Sequence, residues 1–226
     1  MTGYTRAPRI LKGALAVYDS PDSGDEPTII AFQYNPESVR RTLRGRAPAP
    51  DPAGGAKRED VSRVVGPPVE TLTLSISLDA SDALGEPIYD PIVAASGLHS
   101  PLAQREMLLY PPSARVRENE RLADEGELQL VPEELPLTLL VWGPARVVPV
   151  RVTGLAIHEE AYDPHLNPIR AQLDLSLQVL TYLELKESSR GRDVYLAYQR
   201  SKEELAAIGR GRSVRVAAEG FLPELG

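Results

Sequence analysis

Residues 70–79 read Glu70-Thr71-Leu72-Thr73-Leu74-Ser75-Ile76-Ser77-Leu78-Asp79, with Leu72, Leu74, Ile76 and Leu78 on one parity and Thr and Ser on the other. A period of two puts each set on its own face of a pleated strand, one face buried and one solvated. Residues 170–179 repeat the pattern: Ala171, Leu173, Leu175, Leu177 and Val179 alternate with Arg170, Gln172, Asp174, Ser176 and Gln178. Strands with one wet face belong to antiparallel sheets. The expected fold is therefore mainly β with short helices, an antiparallel β-barrel or sandwich.

Outward from these strands the chain continues in the same style. The apolar run Leu137 to Trp142 ends at Gly143-Pro144, a turn signal that sends the chain back through Arg146 to Glu160 as a hairpin. Along the second arm Val148, Val150 and Val152 share a parity, whereas Leu155 and Ile157 have the opposite one, so the pleat must slip and Gly154 is the candidate β-bulge. Gly13 to Tyr18 and Thr28 to Tyr34 read as another strand pair joined by the polar segment Asp19 to Pro27, with Asn35-Pro36 ending the second strand.

Three segments do not read as strands. Residues 45–68 are rich in Pro, Gly, Ala and charge, the composition of a long flexible loop. Residues 97–110 read as a helix with Pro101 in its first turn, Leu102, Met107 and Leu108 available for packing, and Pro111-Pro112 as its end. Residues 191–208 place Val194, Tyr195, Leu196, Tyr198, Leu205 and Ile208 among Arg, Lys and Glu, an amphipathic helix that Gly209 should stop. The expected organisation is a β-domain over 1–185 and a C-terminal helical tail over 186–226.

Composition narrows the function. With 42% hydrophobic and 25% charged residues the chain can bury a core unaided, and with no cysteine it has no disulfides, thiolate metal sites or cysteine nucleophile. A net charge of −7 opposes a phosphate backbone, and the basic clusters Arg40, Arg41, Arg44, Arg46 and Arg190, Arg192, Arg210, Arg212, Arg215 lack interleaved aromatics. They read as solvated loops or protein contacts, with no nucleic acid expected. The N-terminus lacks a signal-peptide pattern and no apolar run reaches roughly 18 residues, which points to synthesis in the cytoplasm without membrane insertion.

No constellation for chemistry emerges, and neither an enzyme nor a cofactor is expected. Gly54-Gly55 lacks the phosphate-loop frame, no serine sits in GxSxG, and Glu133-Glu134 and Glu159-Glu160 are adjacent acids that point apart on a strand. His158, Glu160 and His165 could gather around a divalent ion, although surface residues at a strand end explain the spacing as well. Trp142, the one tryptophan, is either a core or rim anchor or part of a subunit interface.

Taken in order, several segments resemble the N-terminal tube-like domain of adaptor proteins of contractile injection systems, relatives of phage tails and R-type pyocins. Phe32-Gln33-Tyr34-Asn35-Pro36 is similar to the family's F-x-YNP opening, and Thr71 to Asp79 to its alternating strand closing on an aspartate. Pro136 to Gly143 resembles its element ending in Trp-Gly, Val152 to Asp163 its long alternating strand, and Asn167-Pro168-Ile169-Arg170-Ala171 its G-x-P-x-RA turn. The resemblance covers about residues 10–185. It implies a tube-like subunit in a homo-hexameric ring that joins the inner tube protein to the spike or hub protein and other baseplate proteins.

Two departures qualify it. Asn167 stands where the family often has glycine, a replacement that left-handed backbone angles allow. The residues after Tyr182 show no LysM-like opening, so peptidoglycan binding does not carry over. The tail can instead dock on its own domain or on a baseplate neighbour, with Tyr195 and Tyr198 as candidate contacts. Within the class the alternative is an inner tube or tube-terminating subunit; outside it, a ligand-binding β-barrel module, for which 5% aromatic residues are few.

Overall fold

The computed structural model describes residues 11–19, 26–46, 65–81, 91–125 and 135–218. Strands β1 (Ala14–Tyr18), β2 (Thr28–Ala31), β3 (Val39–Arg44), β4 (Val69–Asp79), β5 (Leu137–Val141), β6 (Val147–Tyr162) and β7 (Pro168–Val179) form one sheet in the order β2-β1-β5-β6-β7-β4-β3. Every neighbouring pair is antiparallel. Helices α1 (Pro91–Ser96), α2 (His99–Glu106), α3 (Ser113–Asp124) and the C-terminal α4 (Arg190–Ala218) accompany it.

The two alternating stretches lie side by side as β4 and β7, paired through Leu72↔Leu177, Leu74↔Leu175 and Ile76↔Leu173. Their apolar parity faces a core in which Phe32, Leu72, Leu140, Val148 and Leu173 are fully buried. Each such side chain contributes about 2 kcal/mol of transfer free energy. Leu98 and Leu102 from the α2 region cover this face, and Tyr195 and Tyr198 of α4 join the same cluster. On the reverse face Ala16, Leu137 and Leu139 pack under Leu185 and Val194, so the sheet is covered on both sides near β1 and β5.

The long hairpin forms as its sequence indicates. The Trp142 N–H donates to the Arg146 carbonyl at 2.7 Å, and Gly143 takes φ +74°, a left-handed angle at which glycine is least strained. The β6–β7 ladder slips between Val152 and Gly154. A Cβ on Gly154 would meet Ser176 at an ordinary 3.6 Å, so the slip does not demand glycine.

Several expectations are corrected. The sheet is not closed into a barrel: β2 and β3 stand at its two edges without pairing with each other, and β2 ends at Ala31 instead of Tyr34. Arg40, Arg41 and Arg44 lie in a strand, β3, which pairs with β4 alone and therefore needs few apolar residues. The helix expected over 97–110 is confined to His99–Glu106, with α1 before it and the exposed α3 after it. Leu102 and Leu108 are buried, but Met107 is 48% exposed. Gly209 does not stop α4, which continues to Ala218. Most of the 45–68 loop, residues 47–64, lies outside the described residues, as do Glu133 and Glu134.

Candidate assembly surface

At one end of the sheet the Phe32–Pro36 segment acts mainly through its side chains. Phe32 fills the core and packs against Trp142 with ring centroids 6.2 Å apart. Gln33 Nε2 donates to the Asp79 carbonyl at 2.7 Å, and the Asp79 N–H donates to Gln33 Oε1 at 2.8 Å. Asn35 Oδ1 accepts from the Gly13 N–H and its Nδ2 donates to the Leu11 carbonyl, both at 2.8 Å. These amides stand in for backbone partners where the ladder stops. A Cβ on Gly13 would lie 2.7 Å from the Trp142 ring, so only glycine lets the two segments approach this closely.

The Asn167–Ala171 turn reaches the same end. Arg170 Nε meets Asp79 Oδ2 at 3.2 Å, and the Ala80 N–H donates to the Ile169 carbonyl at 2.8 Å. Hydrogen bonds from the Ser81 hydroxyl and N–H, aided by Arg170, hold the Asp79 carboxyl below its usual range. The Leu98 N–H donates to the Pro168 carbonyl at 2.8 Å across Gly97, which has φ +57° and no room for a Cβ. Pro168 is buried, while Tyr34 and Arg170 remain exposed.

Strand edges are the second feature of this surface. The Phe32 N–H donates to the Gly13 carbonyl, so by antiparallel alternation Ile29 and Ala31 turn their backbone groups outward from β2. Ala31 is occupied: Arg105, 5% exposed, donates Nη2 to its carbonyl at 3.2 Å and Nη1 to Pro101 at 2.7 Å. Burial pushes the Arg105 pKa down from its ordinary value. On the other edge the Ala80–Ile169 bond places the even residues of β4 against β7. Val39, Arg41 and Leu43 therefore turn their backbone groups outward from β3, and among the described residues nothing pairs with them.

The far end holds the tail. Glu70, 3% exposed, receives Arg41 Nε at 2.9 Å, Lys202 Nζ at 2.8 Å and the Tyr198 hydroxyl at 3.0 Å. Arg46 pairs with Glu184, whose carboxylate also accepts from the Thr181 N–H at 2.8 Å. Burial pushes Glu184 up, yet the bonds from Thr181 and Arg46 outweigh it and leave the carboxyl below its usual range. Tyr195 packs edge-on against Tyr182, and burial, reinforced by the Glu70 charge, pushes its phenol up to about 12. From Glu203 to Ile208 the helix is exposed, Leu205 by 58% and Ile208 by 72%.

Tyr195 and Tyr198 thus pack on the chain's own sheet. His158 lies 3.8 Å from Glu160, and His165 neighbours Asp163 instead, so they do not converge; among the described residues no three metal-ligating side chains gather. Among those residues no helix is long and apolar enough to cross a membrane. Sequence reasoning overlooked Gln33, Glu70 and Arg105 as structural ties. For Glu70 a signal existed: it shares the parity of Leu72 and Leu74, which places a carboxylate on the buried face.

No family model and no curated protein matches the chain. It is similar to a solved structure of the tail of an empty GTA particle with C6 symmetry, 9% identical, covering 74% of this chain and 90% of that one, with a TM-score of 0.27. A likeness of that strength carries no argument about role.

Proposed function

We propose that the chain is a non-enzymatic structural adaptor of a contractile injection system, a tube-like subunit that joins the inner tube to the spike and baseplate in a ring of six. The observation that carries this reading is the convergence of three motif segments, Phe32–Pro36, the Asp79 end of β4 and Asn167–Ala171, at one end of the sheet. Residues 1–185 form the ring-building domain and 186–226 its tail. The subunit is made in the cytoplasm and then built into the particle.

The two unequal edges support a ring over a simple dimer. An open β3 edge is a template for a neighbour's strand. Two copies of β3 paired with each other would oppose Arg40, Arg41 and Arg44 to like charges, which disfavours the isologous dimer. Head-to-tail contacts remain, and these form a ring when the rotation between neighbours closes. A ligand-binding barrel is disfavoured because the face that would line its cavity is filled by Phe32, Leu140, Val148 and Leu173.

Negative-stain imaging of particles carrying a tagged copy of this subunit tests the proposal. The expected result is six copies at one end of the tube; tags along the sheath exterior would overturn it.

A further inference from the structure

The two edges of the sheet are protected in different ways. β3 carries Arg40, Arg41 and Arg44, charges that oppose pairing with a copy of itself. β2 reads Thr28-Ile29-Ile30-Ala31, uncharged and rich in β-branched residues, a composition that pairs readily with another strand. Ile29 is 58% exposed, and it and Ala31 turn their backbone groups away from β1. Such an edge is a template for a second copy unless something covers it.

The cover comes from α2. Arg105 is 5% exposed, with Nη1 on the Pro101 carbonyl of its own helix and Nη2 across on the Ala31 carbonyl of β2. Its Nε is buried without a partner, and among the described residues no carboxylate reaches the guanidinium. Burying a cation unpaired is unfavourable, and an apolar side chain of similar volume would fill the same space without that cost. Packing alone therefore does not account for an arginine here. What the guanidinium does hold is an outward-facing acceptor that an incoming strand needs.

Two β2 strands brought together antiparallel about Ile30 place Ile29 of one copy opposite Ala31 of the other, so their outward groups meet. Each Ile29 N–H then seeks the Ala31 carbonyl of the other copy, where Arg105 already sits. We propose that Arg105 is an edge guard: by occupying the Ala31 carbonyl it keeps two copies of this chain from pairing β2 to β2. The excluded product is an isologous dimer that uses up one edge of each copy. The guard acts in the free chain and does not depend on the proposed particle.

Arg105→Met tests this, because methionine keeps an unbranched apolar stem and removes the charge and every donor. A cooperative melt shows that the variant folds; if it does not melt cooperatively, Arg105→Gln, neutral and too short to span Pro101 and Ala31, takes its place. Sedimentation velocity on the purified full chain should show dimerisation at least tenfold tighter than in the parent. Adding Ile29→Pro removes an outward N–H at a position where an edge strand tolerates proline, and should return the chain to the parent's behaviour. Dimerisation no tighter than in the parent, or association that Ile29→Pro leaves in place, would overturn the proposal. Particle imaging reports on ring position and is independent of either outcome.

Discussion

Gln33 and Asp79 hold each other through two hydrogen bonds of 2.7 and 2.8 Å, although they are 46 positions apart and β2, which Gln33 follows, lies far from β4 in the sheet order. The carboxamide donates to and accepts from one residue's backbone, as a neighbouring strand would. The sheet therefore curls far enough for the end of β2 to touch β4, and a side chain closes what the ladder leaves open. Replacing Gln33 by Ala leaves both backbone groups of Asp79 without a protein partner. The expected loss is about 1–2 kcal/mol, measured by urea unfolding.

Glu70 ties three elements together at the other end. Its carboxylate is buried with two cations and a phenol on it. Glu70→Ala strands those groups, and a loss of about 3 kcal/mol is expected, the low end for a broken buried pair because Arg41 and Lys202 are each about a third exposed. Tyr198→Phe removes one hydrogen bond and should cost about 1 kcal/mol. Thermal unfolding of both variants, compared with the parent, checks the ordering.

Acid should loosen the motif end. The Asp79 carboxyl lies below its ordinary range through Ser81 and Arg170, and that of Asp163 through the Asn167 N–H and side-chain amide, with His165 adding to the effect. A carboxyl with a lower pKa in the folded state adds stability above its unfolded value, roughly 3.9, and that contribution is lost as pH falls through the folded value. Stability of the parent should therefore decline below about pH 4. Asp79→Asn and Asp163→Asn should each flatten the decline when unfolding is followed from pH 5 to pH 2.

The tail divides near Lys202. Removing everything from residue 189 onward would strip Tyr195 and Tyr198 from the core, so a cut there confuses folding with assembly. Deleting residues 205–226 keeps Tyr195, Tyr198 and Lys202 and removes Leu205 and Ile208, both of them exposed. Its melting temperature should stay within about 2 °C of the full chain, since exposed groups contribute little. On the proposed function the truncated protein no longer captures the next baseplate component, which co-purification would show.

By itself the sequence determined the strands whose burial repeats along the chain. β4 and β7 were legible because a half-buried strand writes its environment into alternate residues, and the Val152–Gly154 slip was legible because the parity changed. Phe32-Gln33-Tyr34-Asn35-Pro36 was legible as a motif, but not the bonds that Gln33 and Asn35 make. β3 escaped because an edge strand with one partner can carry Arg40, Arg41 and Arg44 without an apolar face, and α3 because an exposed helix buries nothing. Only the tertiary structure decided that the sheet stays open, that Glu70 rather than a leucine meets the tail, and that Arg105 lies buried against β2. Each of these depends on which groups from distant parts of the chain arrive beside one another, and periodicity records burial, not the identity of the neighbour.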